Sequence, residues 1–310
     1  MLDVSHLSIS FSRYGKGLQK SSFSPVSDIS LHINAGEIVA VVGSSGSGKS
    51  LLAHALLGLL PGNARMGGQL TFKDTELIDE RIHLLRGREI ALIPQSVAYL
   101  NPLARVGRQV FRAARLSGQP SATANRNTDT IFRRYALASP VRRMFPFQIS
   151  GGMARRVLTA TATVGQADLI IADEPTTGLD RQVAQKTLSH LVELADDGKG
   201  VLLITHDLAA AVRISNLIVV VYAGKTLEIT SAMSFHSPEK LLHPYTRALW
   251  NALPQNSFTP LAGNQPTEDH DISGCIFNPR CPVAVQGCRL VAPTLQKING
   301  SLVRCLHAAG

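Results

Sequence analysis

The 310-residue chain is long enough for one large or two modest domains with a sizeable buried core. Hydrophobic residues make up 45% of it and charged residues 17%, which is too apolar and too weakly charged for a mainly disordered chain. The 31 Lys and Arg residues outnumber the 22 Asp and Glu residues. The resulting net charge of +9 suits nucleic acid, anionic lipid or phosphate-bearing ligands, with ordinary charge for solubility as the alternative.

Long apolar segments are missing from the sequence. Stretches such as 217–223 are far shorter than the roughly 18 residues that a membrane span needs. Residues 1–10 carry Asp3 and alternating polar residues, where a secretory signal would carry a basic segment and an apolar core. We therefore expect a chain that does not itself cross a bilayer, located in the cytosol.

Apolar patterning predicts an α/β fold. Alternating runs near residues 7–11 and 29–33 predict two strands, separated by a Ser/Gly/Lys-rich loop at 12–24. Apolar runs predict further strands at 37–42, 90–93, 169–172, 201–205 and 217–222, and helical composition predicts helices at 50–60 and 182–195. This alternation favours a mostly parallel sheet covered by helices.

Two regions depart from that alternation. Residues 101–163 contain many Arg and Ala residues and no strong β-run, which predicts a mostly helical insertion. After about Leu253 the composition shifts to Pro, Asn, Ser, Thr and Gly, which is typical of a linker. All four cysteines follow this stretch, and we expect them to form a separate small module over 274–305.

A Gly- and Ser-rich loop follows the strand predicted at 37–42. It reads Gly43-Ser44-Ser45-Gly46-Ser47-Gly48-Lys49-Ser50, which fits the phosphate-loop pattern G-x-x-x-x-G-K-[ST] between a strand and a helix. Its glycines allow backbone N–H groups to face phosphate oxygens, and the helix N-terminus adds a favourable dipole. We predict that residues 43–51, through Leu51, bind the nucleotide, with Lys49 reaching the β- and γ-phosphates and Ser50 ligating Mg²⁺. A chance Gly/Ser turn is the alternative.

Two carboxylates, Asp173 and Glu174, end the apolar strand predicted at 169–172. They therefore emerge at the carboxyl edge of the sheet, where open α/β folds bind ligands. We predict that Asp173 is the Mg²⁺-associated acid and that Glu174 polarises the attacking water. An acidic strand end exposed on the surface is the alternative.

The segment Ile149-Ser150-Gly151-Gly152-Met153-Ala154-Arg155-Arg156 resembles the signature motif of ABC-type ATPases. Gln95 resembles their Q-loop, Gly178-Leu179-Asp180 their D-loop and His206 their switch histidine, all in the family's order. The resemblance covers about residues 2–224. It implies an ATP- and Mg²⁺-binding core with a β-rich subdomain and a helical subdomain. It also implies two cassettes packed head to tail, with Ser150, Gly151 and Gly152 serving the partner's nucleotide.

The resemblance assigns roles to isolated residues as well. Gln95 is expected to sense Mg²⁺ or water, His206 to contact the γ-phosphate, and Asp180 to belong to the nucleotide site. Phe11 matches the place where the family stacks an aromatic ring on adenine, with Tyr14 as the rival. The alternatives are a surface amide for Gln95, a structural histidine for His206 and a packed core ring for Phe11.

Three further segments narrow the resemblance to oligopeptide, dipeptide and nickel importers. They are His243-Pro244-Tyr245-Thr246-Arg247-Ala248-Leu249, Tyr99-Leu100-Asn101-Pro102 and Phe277-Asn278-Pro279-Arg280-Cys281-Pro282. The resemblance implies a nucleotide-binding domain over 1–250, with its helical subdomain at about 96–163, and a C-terminal extension over 251–310. It implies an ATPase that powers import of peptides, nickel or metal complexes at the cytoplasmic face of a bacterial inner membrane. The implied partners are a second, different ATPase subunit, two transmembrane permeases and an extracytoplasmic solute-binding protein; a homodimer of ATPases is the alternative.

Cys275, Cys281, Cys288 and Cys305 have the spacing C-x5-C-x6-C-x16-C. Four clustered thiols in a reducing cell can bind a [4Fe-4S] cluster or zinc. The spacing lacks the C-x2-C pairs of a zinc ribbon, and the resemblance favours the iron-sulfur cluster in a structural or regulatory role. Zinc and free thiols are the alternatives.

Two rival functions come from other classes. One is a soluble ABC ATPase acting on DNA or ribosomes, which the charge of +9 would suit. The other is a non-catalytic module that only binds nucleotide. The intact set of Lys49, Asp173, Glu174 and His206 argues against the second rival. The segment at 243–249, together with the lack of long coiled-coil insertions or tandem cassettes, argues against the first.

Overall fold

The computed structural model describes residues 1–14, 20–266 and 272–308. The chain divides into two compact units. Unit 1 comprises Met1–Asn34, Ile38–Leu77 and Ile204–Gly310, and unit 2 comprises Ala35–Glu37 and Ile78–Leu203. Across the described ranges, no helix combines the length and the apolar character that a membrane span requires.

Strands and helices alternate along most of the chain. The strands are β1 (Leu2–Tyr14), β2 (Lys20–Ile33), β3 (Ile38–Val42), β4 (Ala64–Phe72), β5 (Thr75–Glu76), β6 (Ile90–Ile93), β7 (Leu169–Asp173), β8 (Gly200–Thr205), β9 (Leu217–Tyr222), β10 (Lys225–Ser231), β11 (Gln296–Ile298) and β12 (Ser301–Val303). The α-helices are α1 (Lys49–Leu56), α2 (Asp79–Leu85), α3 (Val106–Leu116), α4 (Ser121–Arg134), α5 (Gly151–Thr163), α6 (Arg181–Asp196), α7 (Leu208–Ile214), α8 (Pro244–Asn251) and α9 (Gln286–Leu290). The predicted α/β class is confirmed.

Unit 1 holds a mixed sheet with the strand order β5-β4-β1-β2-β10-β9-β3. β1 pairs antiparallel with β2 and with β4, whereas β3 pairs parallel with β9. Every residue of β3 is buried, as its unbroken apolar sequence IVAVV requires. The carboxyl end of β3 therefore leads directly from the core into the Gly/Ser loop.

The hairpin of β1 and β2 is longer than predicted. The loop expected over 12–24 is wrong in its extent, because Ser12 pairs with Ser22 and Arg13 with Ser21. Phe11 and Phe23 stack across the two strands with ring centroids 5.3 Å apart, and this pair stabilises the hairpin where most of the neighbouring side chains are polar. The remaining part of that loop, 15–19, lies outside the described residues.

The cysteine-containing segment belongs to unit 1. β12 pairs antiparallel with β10, joining Glu228 to Val303, and β11 pairs with β12. Arg304 reinforces this pairing: its guanidinium donates to the Asp28 carboxylate at 2.7 Å and to the Thr226 carbonyl at 2.8 Å. Strand pairing and these hydrogen bonds therefore fasten the segment to the sheet.

Unit 2 contains the parallel pair β6 and β7, with β8 next to β7 in the strand order. Between β6 and β7 the chain is helical, as predicted, and α3, α4 and α5 surround one apolar core. Its buried members are Leu100, Val106, Val110, Ala114, Ala124, Ile131, Phe132, Tyr135, Leu137, Val141, Ala154, Val157, Leu158, Ala160 and Val164. This core makes the insertion a rigid support for the segment that precedes α5.

Candidate functional site

The phosphate loop of residues 43–50 connects β3 to α1 in unit 1. Lys49 is buried, and its Nζ donates to the carbonyl oxygens of Gly43 and Ser44 at 2.8 Å each. The Ser47 hydroxyl lies 3.3 Å from the same nitrogen. The ammonium group is therefore held by the loop itself, at the start of a helix whose dipole favours anions.

Two glycines of this loop cannot carry a side chain. A Cβ on Gly43 would lie 2.1 Å from the carbonyl oxygen of Val221, a residue of β9. Gly48 precedes α1 with φ of +93°, and a Cβ there would lie 2.7 Å from Val26 Cγ2. Both positions need glycine for close approach, and Gly48 also for its left-handed backbone.

In unit 2 the structure brings Gln95, Asp173 and Glu174 to one sheet edge. β6 and β7 run parallel with Ile93 opposite Ala172, so the residues that follow them leave from the same edge. Asp173 and Glu174 are buried, whereas Gln95 is exposed. Glu174 has φ of +49° and accepts a hydrogen bond from the Thr177 hydroxyl at 3.1 Å. A left-handed backbone costs a non-glycine residue about 1–2 kcal/mol.

The signature segment caps α5. The Ser150 hydroxyl accepts from the Met153 N–H at 3.2 Å, which makes Ser150 the N-cap of that helix. A Cβ on Gly151 or Gly152 would meet nothing within 4 Å. Packing inside the described part of the chain therefore does not require glycine at either position.

Asp180 and His206 also lie next to helix N-termini. Asp180 caps α6, accepting from the N–H groups of Gln182 and Val183 at 3.0 Å each. His206 is exposed and follows β8, and Asp207 after it caps α7 by accepting from the Ala210 N–H at 2.9 Å. The cap explains an aspartate at position 180 structurally, and the nucleotide roles of Asp180 and His206 stay predictions.

The candidate nucleotide residues divide between the two units. Unit 1 contains Phe11, residues 43–51 and His206, and unit 2 contains Gln95, residues 150–152, Asp173, Glu174 and Asp180. Phe11 is half-buried against Phe23, so the proposed adenine contact would involve a ring that already has a partner. The side chain of its rival Tyr14 lies outside the described residues.

The four cysteine thiols influence one another electrostatically. Burial raises the pKa values of Cys275, Cys281 and Cys305, and the nearby thiol of Cys288 raises each of these pKa values further. The backbone N–H of Cys275 donates to the Cys288 carbonyl at 2.8 Å, and Cys288 Sγ lies 3.3 Å from His307 Nε2. Within ranges 1–14, 20–266 and 272–308, no three His, Cys, Asp or Glu side chains lie close enough together to hold a metal ion.

Comparison with known proteins decides the family. The family model for ABC transporters matches residues 26–177, and the model for the oligopeptide/dipeptide transporter C-terminal region matches residues 228–288. The chain is 36% identical to the dipeptide transport ATP-binding protein DppD of Escherichia coli, over 98% of this chain and 96% of that protein. It is 35% identical to the oligopeptide transport ATP-binding protein OppD of the same organism, over 98% and 92%.

The chain belongs to the ATP-binding subunits of ABC transporters. A solved dimeric bacterial ABC transporter cassette has the same fold, with a TM-score of 0.66, 23% identity and coverage of 75% of this chain and 99% of that one. An ATP-binding subunit of an ABC transporter matches with a TM-score of 0.63 at 25% identity, over 78% and 94%. The resemblance to peptide-importer ATPases is therefore confirmed.

Two residues in the C-terminal part of this ABC subunit lie beside the phosphate loop, a placement that the sequence did not predict. Gln265 contacts the phosphate loop, accepting from the Ser44 hydroxyl and donating to the Gly46 carbonyl at 3.4 Å. The Tyr245 hydroxyl is buried beside Ser44 without a well-formed hydrogen bond. No local pattern could have indicated these contacts, because about 200 residues separate the partners.

Proposed function

We propose that this chain hydrolyses ATP to power peptide import through a bacterial ABC importer. The observation that carries the proposal is a complete phosphate loop, with buried Lys49, in a chain that also holds a strand-end carboxylate pair, Asp173 and Glu174. Similarity to DppD and OppD along nearly the whole chain supports peptides as the cargo. Because both relatives are peptide-transport proteins, nickel and metal complexes receive no comparable support.

ATP hydrolysis requires positioning and charge stabilisation more than covalent chemistry. In the proposed roles, the N–H groups of residues 43–51 and Lys49 hold the phosphates, Glu174 orients and polarises the attacking water, and His206 contacts the γ-phosphate. Ser50, Gln95 and Asp173 offer hydroxyl, amide and carboxylate oxygens, the donors that Mg²⁺ prefers. When bound, Mg²⁺ neutralises charge on the phosphate oxygens. The hydrogen bond from the Thr177 hydroxyl at 3.1 Å would orient the Glu174 carboxylate.

A second cassette is the first proposed partner. Gly151 and Gly152 have open space where a side chain would project, although no contact within the described chain needs that space. The start of α5 offers N–H groups and a positive dipole end to an anion. The segment 150–152 would therefore serve a nucleotide bound by the second cassette, which we propose is a different ATPase subunit.

The helical part of unit 2 offers a surface for further protein partners. Tyr99, Leu103 and Phe147 expose 55%, 87% and 75% of their surface, which is unusual for large apolar side chains. A cavity of about 760 Å³ beside α3 and α4 is lined by five arginines, Arg105, Arg108, Arg133, Arg142 and Arg143. We propose that this surface of unit 2 is where the transmembrane permeases, two in the complete importer, dock.

The other proposed partner is a solute-binding protein that delivers the peptide. With these partners, the chain would lie at the cytoplasmic face of the inner membrane.

The four cysteines form the basis of a further proposal, a [4Fe-4S] cluster. A four-iron cluster is held by four thiolates, and the segment supplies four thiols, Cys275, Cys281, Cys288 and Cys305. Their spacing lacks the C-x2-C pairs of a zinc ribbon. The cluster would be structural or regulatory, since ATP hydrolysis needs no redox step. The test is the iron content, sulfide content and absorbance spectrum of anaerobically purified protein. If the protein contains neither iron nor sulfide and lacks the broad absorbance of a cluster, the iron-sulfur proposal is excluded.

Glu174→Gln tests the catalytic assignment. We expect the variant to bind ATP like the wild type and to lose about 10²-fold or more in turnover, because the amide cannot polarise water as a carboxylate does. Phosphate release and equilibrium ATP binding are measured on the full chain, with Glu80→Gln, an exposed change on α2, as the matched control. Near-normal hydrolysis by Glu174→Gln would remove Glu174 from the mechanism.

Co-purification from native membranes tests the assembly and its cargo. Recovery of two permeases and a second ATPase with the tagged chain is the expected result, followed by peptide-dependent ATP hydrolysis once the complex is in vesicles. Ni²⁺ in place of peptide serves as the comparison. Recovery of nucleic acid or ribosomes instead would favour the soluble class of ABC ATPase.

A further inference from the structure

The chain that follows α8 returns to the phosphate loop. Gln265 lies against Ser44 and Gly46: its Oε1 accepts from the Ser44 hydroxyl, and its Nε2 lies 3.4 Å from the Gly46 carbonyl oxygen. All three residues belong to unit 1. One side chain of the C-terminal extension therefore contacts two of the residues that form the loop.

Arg280 holds the segment that carries Gln265. Its Nε donates to the Ala262 carbonyl at 2.9 Å and its Nη2 to the Leu261 carbonyl at 3.2 Å. Its Nη1 lies 3.3 Å from the hydroxyl of Tyr222, the last residue of β9. A planar guanidinium with several fixed donors is suited to this bridging position, and a lysine could not replace it. The segment at 261–265 is thus fastened to the sheet from which the phosphate loop also emerges.

The atoms that Gln265 contacts show what it can do. Phosphates in such loops are bound by backbone N–H groups and the lysine. Gln265 instead contacts a hydroxyl and a carbonyl oxygen, so the N–H donors keep their capacity for phosphate. The contact therefore restrains the loop through Ser44 and Gly46 and uses none of its N–H groups.

We propose that Gln265, held in place by Arg280, is a positioning residue of the ATP site that keeps the phosphate loop in its nucleotide-binding shape. This inference rests on the proposed ATPase function and extends it to the C-terminal region. It assigns to that region a direct effect on ATP affinity.

The test measures equilibrium binding of ATP and ADP to the full chain with Mg²⁺. Gln265→Ala should weaken ATP binding by about two- to tenfold, the range expected for one hydrogen-bonded contact. Gln265→Glu should weaken it further, because a carboxylate beside the loop repels phosphate. That extra loss should be greater for ATP than for ADP and should shrink at high salt. A merely structural defect would show neither dependence.

Gln255→Ala and Gln255→Glu are the matched controls, because Gln255 is an exposed glutamine just after α8. The cycle of Ser44→Ala, Gln265→Ala and the double variant gives a second readout: the losses should not add, since both changes break one contact. If Gln265→Ala and Gln265→Glu bind ATP like a competent wild type, the inference is overturned and the proposed function stands. A wild-type chain that does not bind ATP would overturn both.

Discussion

His243 should make the stability of unit 1 depend on pH. It is fully buried, and its Nδ1 accepts from the Tyr245 N–H at 3.0 Å as the N-cap of α8. Burial lowers the pKa of His243 from 6.5 to about 3. The neutral ring is therefore the folded form. As the pH falls below 6.5, His243 becomes protonated in the unfolded chain but not in the folded one, so the free energy of unfolding decreases. This decrease continues until the pH reaches about 3, where the folded chain is protonated as well.

The size of the effect follows from the two pKa values. At pH 5.5 the unfolded histidine is one unit below its pKa, so its protonation lowers the free energy of unfolding by RT ln 11, about 1.4 kcal/mol. At pH 7.5 the same contribution is about 0.1 kcal/mol or less. The nearby carboxyl of Glu228 has a pKa raised by burial, and it therefore contributes stability that is present at low pH and lost as the pH rises.

His243→Asn isolates the histidine contribution. Asparagine is a good N-cap and retains an acceptor for the Tyr245 N–H, but it does not titrate. Urea unfolding at pH 7.5 and 5.5 is followed by fluorescence of Trp250, the single tryptophan of the chain, which lies in α8. The variant should lose about 1.4 kcal/mol less than the wild type between the two pH values. Exposed His236 provides the control His236→Asn, and an unchanged pH dependence in His243→Asn would refute the reasoning.

Three other substitutions have defined outcomes. Arg304→Ala should lower the free energy of unfolding of unit 1 by about 2–4 kcal/mol in urea titrations, because the partly buried Asp28 loses its cation; a loss of under about 0.5 kcal/mol would contradict this. Gly43→Ala should abolish ATP binding or folding, because its Cβ would lie 2.1 Å from the Val221 carbonyl, and normal binding would count against the geometry. Gly151→Ala should leave the melting temperature unchanged or higher, since space is open and alanine favours helix. The same variant should reduce ATP-dependent association with the second ATPase subunit in sedimentation, and normal association would exclude the proposed partner contact.

Local sequence is enough to predict a strand wherever burial on both faces of the sheet makes that strand continuously apolar. The predicted limits of β6 and β9 are correct to the residue for this reason, and the phosphate loop is recognisable because its glycines and lysine are adjacent in sequence. β4 is not predicted, since its sequence ARMGGQLTF has a weak β-pattern and a glycine pair.

Contacts between distant segments cannot be predicted from the sequence. Arg304 forms an ion pair with Asp28, 276 positions earlier in the chain, and β12 pairs with β10. Periodicity in a short window carries no information on such partners. The same limit explains why the sequence does not predict the pairing of β12 with β10 and why it places Gln265 in a linker.

The segment His243-Pro244-Tyr245 illustrates how a family motif can be explained by physical chemistry. His243 caps α8, Pro244 occupies the first helical position, where its missing N–H costs nothing, and Tyr245 packs against Tyr222 with ring centroids 4.7 Å apart. Glu228 accepts the N–H groups of Leu242 and His243 at 2.9 Å each, which ties the motif to β10. Together these hydrogen bonds and the ring contact hold the start of the C-terminal extension against the sheet. Tyr245 also lies beside Ser44 of the phosphate loop. The motif therefore places the start of the extension next to the phosphate loop.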